Sequence, residues 1–176
     1  DVDAAIGIIQ EEIRHADAIV AALLDYARVR QPRRQPISLA ELTDHVLGAH
    51  RIPSTVNVRR VIDEHVPPVC ADAGQLSDAL LELVLNAVDA MPEGGTLLVE
   101  VSAQGSWVVI AVSDTGPGIS PQLEARLFEP LHSTKPLGVG LGLVTARTFI
   151  EAHGGSIGAV RSEKGARFEI RLPVGP

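Results

Sequence analysis

Hydrophobic spacing divides the chain into one long helix and a mixed remainder. In residues 1–30, Ile6, Ile9, Ile13, Ala16, Val20, Leu23 and Ala27 recur at alternating spacings of three and four. That is the a/d seam of a helix that packs against partner helices. The other faces carry Glu11, Glu12, Arg14, Asp17, Asp25 and Arg28. A single seam calls for a partner, either a second copy or an upstream helix; the alternative is docking on the chain's own globular domain. Pro32 and Pro36, with Arg30, Arg33 and Arg34, end the helix and predict a solvated linker over 31–36.

From residue 37 to 176 the pattern predicts one domain of helices and strands. Leu39 to His50 reads as a helix, Val56 to Ile62 as a strand and Val69-Cys70 as a short one. Asp72 opens a long helix to Met91, with Gln75 at the capping-box position. After the Pro92-Glu93-Gly94-Gly95 turn, Thr96–Ser102 and Trp107–Ser113 read as a hairpin. Ser120 to Leu127 predicts a short helix, Pro130 to Gly140 a loop, and Leu141 to His153 a helix stopped by Gly154-Gly155. Ser156–Arg161 and Arg167–Leu172 close the pattern as two more strands. Helices beside neighbouring antiparallel strands imply an α+β fold, a two-layer α/β sandwich.

Composition narrows the partners. The chain is 45% hydrophobic but only 3% aromatic, so its core is built from Leu, Ile, Val and Ala. A net charge of −7 argues against a general nucleic-acid binder. The lone Cys70 excludes an internal disulfide and a cysteine zinc site, which fits a cytoplasmic location. No apolar run approaches the roughly 18 residues of a membrane span, so no membrane contact is expected. The first residue is Asp1 rather than Met, which points to a piece of a longer chain.

Three features carry chemistry. The long helix is apolar almost all round through Leu80, Leu81, Leu83, Val84, Leu85, Ala87 and Val88. Glu82, Asn86 and Asp89 interrupt it at i, i+4 and i+7, a single polar stripe. An Asn amide oxygen suits magnesium, and a carboxylate one turn earlier suits proton abstraction; a solvated face explains the stripe as well. Second, Asp114-Thr115-Gly116-Pro117-Gly118-Ile119 follows an apolar strand. A carboxylate there can accept the exocyclic amine of adenine, and the glycines admit a close backbone approach; a strand-ending turn is the plain alternative. Third, Gly138-Val139-Gly140-Leu141-Gly142-Leu143 opens a helix, whose N-terminal N–H groups and dipole favour phosphate. Ser133-Thr134-Lys135-Pro136 precedes this run where a dinucleotide fold wants a strand, and the chain has no Gly-Lys pair for a Walker loop. Lys135 and Arg126 are the candidate cations, although exposed surface positions are commoner for both types.

In this order the features resemble the GHKL superfamily of gyrase, heat-shock chaperone ATPases, histidine kinases and mismatch-repair ATPases. Leu80–Met91 resembles its N box and Asp114–Gly118 its G1 box. Leu127-Phe128-Glu129-Pro130 with Ser133-Thr134-Lys135 is similar to the F box, Gly138–Leu143 to the G2 box and Gly165–Phe168 to the G3 box. The F-box form is closest to nitrogen-regulation-type sensor histidine kinases. The resemblance covers about residues 37–173, and residues 1–30 resemble the second helix of the preceding dimerisation and phosphotransfer domain.

The resemblance implies a Bergerat-type sandwich, a mixed, mostly antiparallel sheet with helices on one face, that binds ATP with Mg2+. It implies that Asn86 coordinates the metal and Asp114 binds the adenine amine. Gly116, Gly118, Gly140 and Gly142 let the backbone approach the nucleotide, and Asp89, Ile119, Gly138, Leu141 and Leu143 complete the contact set. Lys135 and Arg126 stabilise the γ-phosphate, and Glu82 helps deprotonate the acceptor imidazole or, in its absence, a water. The implied partners are a phosphoacceptor-His helix, a response regulator and a second copy in the full-length protein. Several positions depart from the family. Glu82 stands where the kinases often have Asn, Asp89 where a basic residue is common, and Ala166 where a Thr helps hold the G1 aspartate, which predicts weaker nucleotide binding. Leu131-His132 replaces the lid's usual aromatic pair. No acceptor motif is present: His15 is followed by Ala16 rather than an acid, and His132 reads as a loop residue. Autophosphorylation by the chain alone is therefore not expected. Alternatives to the kinase module are a nucleotide-gated interaction module without phosphotransfer and a hydrolytic GHKL ATPase.

Overall fold

The computed structural model describes residues 31–132 and 139–175, together with Ile6, Gly7, Gln10, Ile13, Ala16 and Val20. The last six are helical and exposed. Of the seam, Ile6, Ile13 and Val20 are 47%, 55% and 55% exposed, so these positions are not docked on the globular part. Ile9, Leu23, Ala27 and His15 lie outside the described residues.

The rest alternates strands and helices: β1 (Gln35–Ile37), α1 (Leu39–Ala49), β2 (Val56–Ile62), β3 (Val69–Ala71), α2 (Ala73–Asp89), β4 (Gly95–Gln104), β5 (Trp107–Ser113), α3 (Pro121–Glu124), α4 (Gly142–Ala152), β6 (Ser156–Val160) and β7 (Arg167–Pro173). Five strands form one sheet in the order β2-β4-β5-β7-β6. Only β2 and β4 run parallel; the other pairs are antiparallel. Alternation in β4 turns Leu97, Val99 and Val101 into the core, where they join Leu80, Leu83 and Val84 of α2. Each such side chain contributes about 1.5–3 kcal/mol on burial. The opposite face of the sheet carries Glu100, Arg167 and Glu169. The expected two-layer α+β sandwich with a mostly antiparallel sheet is the observed fold.

The stretch read as a solvated linker is partly structured. Gln35–Ile37 pairs antiparallel with Val69–Ala71, forming a two-stranded sheet that periodicity in a three-residue segment containing proline cannot reveal. Upstream of it, Arg33 N–H donates to Asp72 Oδ2 at 2.8 Å, and Arg34 Nη2 donates to the Ala152 carbonyl at 2.6 Å. Asp72 is the N-cap of α2, its Oδ1 accepting from Gly74 N–H at 3.0 Å and Gln75 N–H at 3.2 Å. Its own N–H donates to Nε2 of the buried His153, at 2.9 Å. His153 Nδ1 lies 2.7 Å from the Phe149 carbonyl, so the two partners together require the Nδ1–H tautomer. The linker, the start of α2 and the end of α4 thus converge on one aspartate.

These bonds hold the Asp72 carboxyl below its ordinary value of 3.8, the Arg33 N–H first, against desolvation, with help from the Gln75 and Gly74 N–H groups. The folded value lies below the unfolded one, so the contribution is present above 3.8 and is lost as pH falls through the folded value. Asp72→Ala is expected to lower stability by about 1–2 kcal/mol at neutral pH. In urea denaturation the gap to the parent should shrink as pH falls below 3.8. A gap that widens on acidification contradicts this account.

Candidate functional site

Helix α2 is sandwiched between the sheet and its helical neighbours, with Leu76, Leu80, Leu83 and Val84 at most 1% exposed. Glu82, Asn86 and Asp89 cannot share that environment without partners, and the chain leaves a cavity of about 770 Å³ beside them. All three side chains line it. The other walls come from the loop after β5, the start of α4 and the turn before β7.

Asp114 follows the last residue of β5 and is 6% exposed. Its Oδ1 accepts from Gly116 N–H at 2.8 Å and from Ala166 N–H at 3.1 Å. Its own N–H donates to the Ala166 carbonyl at 3.0 Å. Among the described residues none donates to Oδ2, so the carboxylate keeps an acceptor edge at the cavity. An ionised carboxylate only accepts, which makes it a reader of N–H groups and a poor partner for a carbonyl.

The glycines are dictated by close packing. Gly165 has φ +71°, and a Cβ there would run into the Asp114 carbonyl. A Cβ on Gly116 would come within 2.7 Å of the Ala90 carbonyl, and one on Gly142 would strike the Glu82 carboxylate. The Glu82 carboxylate therefore sits beside the first residue of α4, at the positive end of that helix. Gly140, φ +71°, packs within 2.6 Å of the His132 backbone on the same criterion. Thr115 ties the loop to its surroundings: Oγ1 accepts from Thr96 N–H at 3.0 Å and contacts Met91 Sδ at 3.6 Å.

The cavity gathers most of the residues that the sequence singled out: Glu82, Asn86, Asp89, Asp114, Gly118, Ile119, Gly140, Leu141, Gly142 and Leu143 all line it. Gly116 sits behind the wall as a donor to Asp114. Arg126 is outside the lining, with Nε 2.6 Å from Glu129 in an exposed ion pair. Lys135 and Gly138 lie outside the described residues. Sequence reasoning did not anticipate the Ala166 N–H as a holder of Asp114. A backbone donor has no residue-type signature; this one reaches the carboxylate from the position where the family's Thr is expected to help hold it. His132 also lines the cavity, although it reads as an ordinary loop residue in sequence.

Among the described lining residues there are three carboxylates, Glu82, Asp89 and Asp114, and no Lys or Arg. Such a wall repels a polyphosphate unless a cation accompanies it. The donors on the α2 stripe are all oxygen, the set that suits a hard divalent ion. Ile119, Leu123, Leu127, Leu141 and Phe168 supply apolar surface for a planar ring.

The family model for histidine kinase-, DNA gyrase B-, and HSP90-like ATPases matches residues 71–176. Sensor histidine kinase ZraS of Escherichia coli O157:H7 is 34% identical over 174 residues, covering 95% of this chain and 37% of that protein. Sporulation kinase E of Bacillus subtilis strain 168 is 31% identical over 173 residues, covering 95% of this chain and 23% of the relative. Among solved structures, full-length ShkA in complex with AMPPNP superposes with a TM-score of 0.80 at 29% identity, covering 97% of this chain and 38% of that one. Histidine kinase ThkA in complex with the response regulator protein TrrA gives 0.79 at 27% identity, covering 100% and 52%. The chain spans about a third of the length of the first curated relatives it matches.

Gly165→Ala places a Cβ against the Asp114 backbone at a positive φ. It is expected to lower stability by about 1–3 kcal/mol, read by urea denaturation. An unchanged midpoint contradicts the close approach of these two segments.

Proposed function

We propose a function for a chain that belongs to the histidine kinase-, DNA gyrase B-, and HSP90-like ATPase family: it is the ATP-binding catalytic module of a two-component sensor histidine kinase. The observation that carries this reading is the buried Asp114, pinned through Oδ1 and open at Oδ2, facing the Glu82-Asn86-Asp89 wall of one cavity. Asp114 accepts the exocyclic amine of adenine, while Ile119, Leu141 and Leu143 flank the ring. Asn86 holds magnesium, which when bound screens the phosphates from the acidic wall. Gly118, Gly140 and Gly142 let the backbone of the wall approach the nucleotide, Gly116 supports that wall from behind as a donor to Asp114, and Asp89 faces the nucleotide from α2. The N-terminal N–H groups of α4 stabilise phosphate. Lys135 and Arg126 neutralise the γ-phosphate as charge shifts, for which Arg126 must exchange Glu129 for substrate.

In the kinase reaction an imidazole nitrogen of the acceptor attacks the γ-phosphorus, ADP leaves, and Glu82 takes the imidazole proton. The acceptor His belongs to another helix of the parent protein, and residues 1–30 are the other half of that helical hairpin, followed by the linker and a catalytic domain to residue 176. The phosphate then passes to an aspartate of a response regulator, and the exposed Ile6, Ile13 and Val20 serve pairing of two copies in the full-length protein. The ThkA–TrrA pair supports the regulator as partner. Among the described residues no helix is long and apolar enough to cross a membrane.

Glu82, at the cavity wall beside Gly142, favours a second reading, ATP hydrolysis. It predicts steady phosphate release that collapses in Glu82→Gln, whereas the kinase transfers phosphate to an acceptor-His helix supplied in trans. Calorimetric titration with ATP and magnesium tests the binding site first. The parent should bind, and Asp114→Asn should weaken binding roughly tenfold or more. No binding by the parent, or equal binding by Asp114→Asn, contradicts the assignment.

A further inference from the structure

The face of the sheet turned away from the helices carries a bonded group of side chains directly behind the cavity. Arg167 of β7 lies opposite Ser113 of β5, with Nη1 3.1 Å from Ser113 Oγ. The same Nη1 donates to Glu100 of β4. Nε donates to Glu169 Oε1 at 3.2 Å, and Arg171 Nη2 donates to Glu169 Oε2 at 3.2 Å. One guanidinium therefore ties three strands together, bonding to Ser113 directly opposite it on β5 and to Glu100 on β4, which is level with Glu169. Isolated surface ion pairs hold little. This one is only 28% exposed and joins a network, and a planar fork loses less freedom per bond than a Lys chain. Burial opposes the charge, but the bonds to Glu100 and Glu169 outweigh it and raise Arg167 above its ordinary value.

Ser113 is followed by Asp114, and Arg167 is preceded by Ala166. These two neighbours exchange bonds: Asp114 N–H to the Ala166 carbonyl at 3.0 Å, and Ala166 N–H to Asp114 Oδ1 at 3.1 Å. Strand alternation puts successive residues on opposite faces. Arg167 thus grips from outside the same two strand ends that hold the carboxylate inside. If that grip is released, the Ala166 N–H is less firmly placed and Asp114 loses one of the two donors that fix its orientation.

We infer that Arg167, through Ser113 and Glu100, is a positioning residue for the Asp114 carboxylate, and so sets how strongly the cavity prefers a 6-aminopurine over a 6-oxopurine. This rests on the reading of Asp114 as the base-reading group. Calorimetric affinities for ADP and inosine diphosphate, each with magnesium, test it on the parent, Arg167→Ala, Arg167→Lys and Ser113→Ala. Arg60→Ala is the control: Arg60 is 34% exposed and ion-paired with Asp44 at 3.0 Å, on β2 at the far edge of the sheet. The parent should prefer ADP roughly tenfold or more. Arg167→Ala should narrow that preference about threefold or more, Ser113→Ala and Arg167→Lys should narrow it in the same direction, and Arg60→Ala should leave it intact. A merely structural Arg167 would weaken both diphosphates equally and keep the ratio, which overturns the inference. If Arg167→Ala does not fold, Ser113→Ala and Arg167→Lys are judged by the same ratio. A parent that binds without preferring ADP removes the reading of Asp114 as well; a parent that prefers ADP with variants that keep the ratio removes only the role of Arg167.

Discussion

Helix α2 is buried over most of its circumference, and the polar side chains it cannot place in the core determine where the chemistry lies. Leu76, Leu80, Leu83 and Val84 fix its rotation against the sheet and its neighbours. Once that rotation is set, Glu82, Asn86 and Asp89 have to face a polar space, and the cavity is that space. Burying them without partners would cost several kcal/mol. The rest of the fold surrounds this requirement. Helix α4 starts with Gly142 because a side chain there would occupy the place of the Glu82 carboxylate, and β5 ends at the level where Asp114 can complete the opposite wall.

The second wall shows how a sheet can orient a carboxylate without dedicated side chains. The two donors on Asp114 Oδ1 are backbone N–H groups, one two residues ahead and one 52 residues away. The antiparallel register of β5 and β7 brings the distant one into place. Glycine at 165 permits that approach, because any Cβ would meet the Asp114 backbone. Orientation of the candidate base-reading group is thus a property of strand register, and the ion-pair network on the outer face of the same strands bears on it. The far end of α4 is held in a comparable way, by His153 and Asp72, with the incoming linker on the same aspartate.

Much of this was legible in the sequence because it has periodicity or glycine spacing behind it. The α2 stripe, the hairpin β4–β5, the Gly-rich start of α4 and the order of motifs all follow from local pattern, and they predicted the sandwich and most of the lining. What escaped depends on contacts between distant residues. Gln35–Ile37 became a strand only because Val69–Ala71 lies beside it. The Arg33–Asp72 and Asp72–His153 bonds join positions 39 and 81 residues apart through backbone N–H groups, which every residue except proline has. Arg126, expected at the γ-phosphate from its place near the end of the short helix and from the resemblance, is paired with Glu129 outside the described lining, a contact that local pattern does not reveal. The acidic character of the wall emerged only when Glu82 and Asp89 of one motif and Asp114 of another met around one cavity.

The wall formed by α2 and the Asp114–Ala166 pair is the proposed seat of the nucleotide. Titrating the isotope-labelled chain with ADP and magnesium, and following its backbone amide resonances, tests this directly. The account predicts the largest changes at Asn86, Gly116, Gly118 and Ala166, with little change at Arg60 or Trp107. Changes concentrated elsewhere, with the Gly116 and Ala166 amides unmoved at saturation, would contradict it.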